Sequence, residues 1–282
     1  MTGIILAYFF YFVASTASPL QLRWLKNKKE GGGEIAFAFW VLLILNVLAL
    51  FFPLISPLHL AGNPRALAGL TLLCGALGAG YFITSFIAQK HVEAGITSLA
   101  LNINTPVAIV FATLLLDENL KPLQMIGTVL LLTALFLISK KHRISKFKFD
   151  KHFAMMLGAG AMLGLLLVAE RALQKMTGWS AGTMLSWWAQ CASLGLMMLV
   201  YKSKNTYGLK DTLITGVLRF LQGFSWVLLV FLVGNISVIS AITTFKVVII
   251  FIAAAIFLKE REDLPRKILG SIIAVVGLLL MG

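Results

Sequence analysis

One pattern occurs twice in this chain, as NTPVAIVFATLLLDENLKPLQMIGTVLLLTALFL at Asn104–Leu137 and as FKVVIIFIAAAIFLKEREDLPRKILGSIIAVVGLLL at Phe245–Leu280. Each copy has an apolar segment of helical length, an acidic residue at its end, a proline in the turn and a second apolar segment that contains glycine. Glu118 and Glu260 occupy the same place in the two copies, 142 positions apart. The shared order of these features predicts an internal repeat.

The rest of the chain has the composition of a membrane protein with several helical spans. Hydrophobic residues make up 59% of the sequence and charged residues 12%, whereas soluble domains have about 25% charged residues. The net charge of +13 comes from cations that lie mainly between apolar runs, which is typical of membrane topology and not of nucleic-acid binding. We interpret Met1–Leu22 as the first span, because it lacks the basic start of a cleavable signal peptide.

Ten apolar segments of roughly 15–25 residues are near the length that crosses a bilayer. Turns as short as Gln89–His91 require neighbouring helices to be antiparallel. The predicted fold class is therefore an all-α membrane protein with ten transmembrane helices. The predicted spans are Gly3–Leu22, Ile35–Leu54, Ala66–Ala88, Val92–Leu116, Leu120–Ser139, Phe153–Leu173, Ala181–Val200, Thr212–Val233, Ile236–Leu258 and Lys267–Met281.

The predicted spans divide into two five-helix repeats of opposite orientation. Residues 1–139 form the first repeat, residues 140–151 a basic linker and residues 152–282 the second repeat. Because five is an odd number, the second repeat crosses the membrane in the opposite sense to the first. Such inverted repeats are common in secondary transporters, whose substrate site lies near the bilayer midplane between the repeats.

The repeated segments Asn104–Leu137 and Phe245–Leu280 resemble the drug/metabolite transporter superfamily, and most closely its ten-span EamA-type members. The resemblance implies transport of a small metabolite by alternating access around a central cavity. It also implies that both chain termini face the cytoplasm. The cations predict the reverse orientation, since they concentrate in the loops after odd-numbered spans, and loops rich in lysine and arginine usually face the cytoplasm. Membrane orientation therefore stays open.

Lys246 is the strongest candidate for a substrate-binding residue. It lies between Ile236 and Leu258 in a predicted span that has no other charge, and a cation at the bilayer centre costs about 2.5–3.5 kcal/mol on insertion scales. Its side chain must therefore face a cavity, a ligand or a partner such as Glu170. The shift between the repeats aligns Lys246 with Asn104, which predicts that these two side chains face each other across a cavity.

The place of this lysine in span 9 also resembles nucleotide-sugar and triose-phosphate transporters, in which a lysine meets substrate phosphate. Those families have an asparagine before the lysine, whereas here Thr243 is among the residues that precede Lys246. The resemblance implies that the substrate carries an anionic group.

Other polar and aromatic side chains within the spans are candidates to line the same cavity. Arg219, Gln222 and Trp226 share one face of span 8 through their i, i+3 and i+7 spacing. For Arg219 the alternative is a side chain that reaches the membrane surface. Glu170 is a candidate proton-coupling group, with an interfacial pair to Arg171 as the alternative. The remaining candidate substrate-binding residues are Asn102, Tyr81, Ser85, Trp187, Gln190 and Thr243, for which helix packing is the alternative role.

No group of residues predicts catalysis. The histidines lie in loops or at span ends without the spacing of metal ligands, and Cys74 and Cys191 fall singly within apolar segments. The sequence also lacks a glycine-rich phosphate-binding motif that ends in lysine and serine or threonine. We therefore expect no enzyme activity, no cofactor, no metal site and no nucleic-acid partner.

The sequence thus predicts a secondary transporter in the inner or plasma membrane, present as a monomer or dimer. Its expected partners are a small-molecule substrate, the lipid bilayer, and protons or a counter-substrate. The family resemblance favours an amino acid or a related carboxylate as substrate, moved by export or import. The alternatives are an exchanger of phosphorylated metabolites of the sugar phosphate or nucleotide type, and a non-transporting membrane or lipid-handling protein.

Overall fold

The protein is helical throughout the part of the chain that the structure describes. The computed structural model covers residues 2–25, 33–60, 62–116, 122–139, 151–233, 246–259 and 264–281. In chain order the helices are α1 (Thr2–Leu25), α2 (Glu34–Leu48), α3 (Phe52–Ile55), α4 (Pro64–Gln89), α5 (Ala94–Leu101), α6 (Asn104–Leu116), α7 (Pro122–Ser139), α8 (Lys151–Thr177), α9 (Trp179–Val200), α10 (Leu209–Val233), α11 (Lys246–Phe257) and α12 (Leu264–Met281).

Several of these helices are long and apolar enough to cross a membrane, which makes the chain a multi-pass membrane protein. One such segment combines α2 and α3 through a single 3₁₀ turn at Ala49–Phe51. The number of spans and the division into two repeats stay predictions, because residues 140–150 and 234–245 lie outside the described ranges. The six described segments are Gly3–Leu25, Glu34–Ile55, Pro64–Gln89, Lys151–Thr177, Trp179–Val200 and Leu209–Leu229.

The predicted span Val92–Leu116 is two helices, α5 and α6, rather than one. Pro106 has no N–H group, so it cannot donate the helical hydrogen bond to the Asn102 carbonyl. That carbonyl instead accepts from the Thr105 N–H at 3.1 Å, which is a tighter, 3₁₀-type turn. The break leaves Asn102 just after α5 and Asn104 at the start of α6.

Helix packing joins the two halves of the chain in a reciprocal way. α1 packs against α10, and α4 packs against α8. Likewise α4 packs against α9 and α10 against α2, while α7 packs against α12 and α5 against α11. Exchanging α1 with α8, α2 with α9 and α4 with α10 turns the first two of these pairs into each other, and likewise the next two.

Two glycines of α8 allow close approach of the broken helix. A β-carbon at Gly164 would lie 2.6 Å from the Asn104 carbonyl oxygen, and one at Gly160 would lie 3.1 Å from the carbonyl oxygens of Ala100 and Leu101. These carbonyls belong to backbone, so a larger side chain would have to displace the helix. Small residues therefore set the position of the α5–α6 break relative to α8.

Ion pairs fix the chain near the end of α4 and the start of α5. Lys267 of α12 pairs with Glu93, which ties the second half of the chain to the first. Lys90 pairs with Glu34 at 2.5 Å. Burial lowers the pKa of the Lys90 ammonium, but its hydrogen bonds with Glu34 and Tyr207 outweigh burial and raise that pKa above its usual value. Lys90 is therefore charged at neutral pH and holds its carboxylate partner.

We expect the protein to lose stability when the Glu93–Lys267 pair is broken. The Lys267 side chain is 7% exposed and that of Glu93 25%, so Glu93→Ala leaves an ammonium buried without its carboxylate. Breaking a fully buried pair costs about 3–5 kcal/mol, and the partial exposure of Glu93 reduces our expectation to about 1–3 kcal/mol. Thermal unfolding of the purified protein measures the effect. Combining Glu93→Ala with Lys267→Met should recover part of the loss, and an unchanged single variant would contradict this role.

Candidate functional site

A polar cavity lies between helices of both halves of the chain. Its volume is about 80 Å³, and α1, α4, α5, α6, α8, α10 and α11 contribute to its wall. The predicted substrate-binding residues that line it are Lys246, Asn104, Asn102, Arg219, Gln222 and Tyr81. The other lining residues are Ser15, Pro19, Gln89, Thr97, Ser98, Leu101 and Leu163.

Lys246, at the start of α11, holds its ammonium group against Tyr11 of α1. Its Nζ donates a hydrogen bond to Tyr11 Oη at 2.9 Å and lies 5.4 Å from the centre of the same ring. Tyr11 packs in turn against Trp226, with the two ring centres 5.9 Å apart. Because a tyrosine hydroxyl is neutral, the charge of Lys246 meets no carboxylate among the described residues.

Arg219 of α10 brings a second cation to the cavity. Its Nη1 donates to Tyr81 Oη at 3.4 Å, which is long for a hydrogen bond. The guanidinium carbon lies 5.9 Å from the centre of the Phe82 ring and 5.5 Å from that of Phe86, within the range of cation–π attraction. The side chain is thus turned to the cavity rather than to the membrane surface.

The first half of the chain contributes a neutral, polar wall. Thr97 and Ser98 lie in α5, and Asn102 follows directly after that helix. Asn104 begins α6, where the Thr105 hydroxyl donates to its Oδ1 at 3.4 Å. The break between α5 and α6 therefore brings two asparagine side chains to the cavity within one turn.

Several buried polar atoms of the lining residues have no hydrogen-bond partner within the described part of the chain. They are Gln89 Oε1, Thr97 Oγ1, Asn102 Nδ2 and Arg219 Nε. An unpaired buried polar group costs about 1–3 kcal/mol, and folded proteins pair the great majority of such groups. Donors and acceptors thus remain available to a polar solute.

Comparison with known families identifies the first half of the chain. The model of the EamA-like transporter family matches residues 1–140. The first half of the chain belongs to this family. The EamA-like family is a transporter family within the drug/metabolite transporter superfamily, and together with the apolar helices of spanning length the match indicates a membrane transporter of small molecules.

A solved crystal structure shares the fold of this EamA-like chain. The two align with a TM-score of 0.61 at 11% sequence identity, over 99% of this chain and 96% of that chain. At this identity the likeness establishes the fold alone. No curated protein matches the sequence.

Some residues predicted to bind substrate pack away from the cavity. Ser85 is buried and donates to the Phe82 carbonyl at 3.1 Å within its own helix. Trp187 packs against Phe52, with ring centres 5.4 Å apart. Trp226 is not among the described residues that line the cavity, and its ring packs against Tyr11. These three side chains contact neighbouring residues of the helix bundle, and helix packing was the alternative role that the sequence left open.

Glu170 of α8 belongs to a separate polar network. It accepts hydrogen bonds from Ser186 Oγ at 2.8 Å and from Gln174 Nε2 at 3.5 Å. Within the described residues it forms no ion pair with Lys246 or Arg171, so neither ion pair considered from the sequence is present. A role for Glu170 in proton coupling stays a prediction.

Gln190 takes part in the same network, because its Nε2 donates to Ser186 Oγ at 2.9 Å. It therefore lies away from the cavity to which the sequence assigned it. Thr243 lies outside the described residues, as do Glu118 and Glu260 of the repeated pattern.

The sequence prediction missed the contribution of α1 to the site. Tyr11 binds Lys246, and both Ser15 and Pro19 line the cavity. These three residues recur every four positions, so they share one face of the helix. That spacing was a signal available in the sequence, although nothing local connects Tyr11 with a lysine 235 positions away.

Proposed function

We propose that this protein is a secondary transporter of a small polar metabolite that carries a carboxylate group. The observation that carries the proposal is the presence of two cations, Lys246 and Arg219, in one cavity of a membrane protein. Because a cation within the bilayer is costly, such residues are retained where they meet an anionic ligand. An amino acid or a related carboxylate is the leading class of substrate.

The proposed mechanism is alternating access between two inverted five-helix repeats, residues 1–139 and 152–282. The reciprocal packing of α1 with α10 and of α4 with α8 supports it, and so does a cavity with walls from both halves. Rocking one repeat against the other would expose such a cavity to each side of the membrane in turn. Glu170 is the candidate group for proton coupling, and a counter-substrate is the alternative.

The size of the cavity favours a small substrate. Its volume of about 80 Å³ is well below the roughly 300–1,000 Å³ of sites that hold drug-sized ligands. A free amino acid or a short carboxylate suits this volume better than a nucleotide sugar.

The second candidate function is exchange of phosphorylated metabolites. The observation in its favour is the guanidinium group of Arg219, since arginine binds phosphate well through its fork of N–H donors. Within this alternative a sugar phosphate is favoured over a nucleotide, because the cavity of about 80 Å³ is small.

A ligand screen on the purified protein tests the proposed function. Substrates bind the folded state and therefore raise the unfolding temperature. A substrate at a hundred times its dissociation constant adds about 2.7 kcal/mol to the free energy of unfolding. We expect amino acids or short carboxylates to raise the unfolding temperature, and vesicles that contain the protein to take up the same compounds. The proposal would be contradicted if only uncharged ligands raised the unfolding temperature, or if the vesicles took up none of the compounds.

A further inference from the structure

The two cations of the cavity come from different helices, Lys246 from α11 and Arg219 from α10. Lys246 binds Tyr11, which packs against Trp226. Arg219 instead donates a hydrogen bond to Tyr81 of α4. The ammonium and the guanidinium are therefore held by different aromatic partners, on different helices, in the same cavity.

Neither cation is neutralised by a side chain within the described ranges. Lys246 meets the hydroxyl and ring of Tyr11, and Arg219 meets the hydroxyl of Tyr81 and two phenyl rings. No acidic residue is among the described residues that line the cavity. The nearby carboxylates have other partners: Glu34 pairs with Lys90, Glu93 with Lys267, and Glu170 bonds to Ser186 and Gln174.

We propose that the substrate carries two anionic groups, one bound by Lys246 and the other by Arg219. This inference rests on the proposed function and narrows its substrate to a small dianion of the dicarboxylate type. A single carboxylate carries one negative charge and would neutralise only one of the two cations. A dicarboxylate supplies one negative charge for each cation, and charge-assisted hydrogen bonds of this kind are the strong ones.

The unpartnered polar atoms of the cavity support the same substrate. Arg219 Nε and Asn102 Nδ2 are buried N–H donors without a partner among the described residues, and carboxylate oxygens are acceptors. Gln89 Oε1 is a buried acceptor without a partner there, so a hydroxyl or ammonium group between the two carboxylates would find a place to donate. The cavity volume of about 80 Å³ restricts the dicarboxylate to a short one.

Comparing butanedioate with its monoamide tests the inference, because the two have nearly the same shape and differ by one carboxylate. Binding to the purified protein in lipid nanodiscs is measured by calorimetry at neutral pH. We expect butanedioate to bind at least about tenfold more tightly than the monoamide. Arg219→Gln should reduce this ratio to about twofold or less. Lys210→Gln removes an exposed cation from the start of the same helix and should keep the full ratio.

The outcomes separate this inference from the proposed function. Equal affinity for butanedioate and its monoamide, or a preference that survives Arg219→Gln, overturns the dianion inference and leaves carboxylate transport standing. Tighter binding of methyl phosphate than of butanedioate overturns the placement of two separate groups. Binding of no carboxylate and no phosphate overturns both proposals. Arg219→Lys keeps the charge and should keep the preference, so the inference remains testable if Arg219→Gln fails to fold.

Discussion

Lys246→Ala should weaken substrate binding by about a hundredfold or more and abolish transport, while the folded protein becomes no less stable. Truncating one partner of a buried charge pair costs about 2–5 kcal/mol of binding, and about 3 kcal/mol corresponds to roughly a hundredfold in affinity. Stability should change in the opposite direction. The lysine occupies an apolar helix without a carboxylate partner among the described residues. If that helix belongs to the predicted span, removing such a cation relieves about 2.5–3.5 kcal/mol of insertion cost.

The opposite signs of these two effects distinguish a ligand-binding lysine from a structural one. Thermal unfolding and substrate binding are measured on the same preparations of wild type and variant. Tyr11→Phe is a matched control, because it keeps the ring over which the ammonium lies and removes only the hydroxyl that accepts its hydrogen bond. We expect a change in affinity of less than about tenfold for that variant. A lower unfolding temperature with normal uptake for Lys246→Ala would mean that the lysine serves the fold.

The helical fold could be predicted from the sequence because a membrane span is recognised by the length and apolarity of one continuous segment. The six described segments of spanning length all fall on predicted spans. The break between α5 and α6 depends on a local cause, the missing N–H of Pro106, and on the tighter bond from Thr105 to Asn102. Such a break is within reach of sequence reasoning, although its exact position depends on the glycines of α8 that pack against it.

The cavity could be predicted only in part, and the side-chain chemistry explains which part. The lysine ammonium carries a charge and three N–H donors, and the neighbouring side chains of an apolar helix offer no acceptors for them. The presence of Lys246 therefore predicts a polar environment. A serine can donate to a carbonyl of its own helix, as Ser85 does, so its polarity predicts nothing about a cavity. Gln190 finds a partner in Ser186, one turn away. Residues that can be satisfied locally are therefore weak predictors of a site.

Gly164→Val should strongly destabilise the protein, because this position has no room for a side chain. A β-carbon there would lie 2.6 Å from the Asn104 carbonyl oxygen and 2.9 Å from the side chain of Val107. Overpacking a well-packed core costs about 1–3 kcal/mol or more. Valine adds two methyl groups beyond the clashing β-carbon, so we expect a loss above about 3 kcal/mol, a large fraction of a typical stability of about 5–15 kcal/mol. Thermal unfolding of the detergent-purified protein measures the loss.

Gly158→Val is the matched control on the same helix. A β-carbon at Gly158 meets no atom within 4 Å, so this variant should keep or slightly raise the unfolding temperature, since valine favours helix more than glycine does. Gly164→Ala should fall between the two and, if it folds, should also weaken substrate binding. The contact at Gly164 is with the backbone of Asn104, which lines the cavity, so a displaced α6 moves the polar wall away from Lys246 and Arg219. Equal unfolding temperatures for the Gly158 and Gly164 variants would show that the close approach of α8 to the broken helix does not control the position of that wall.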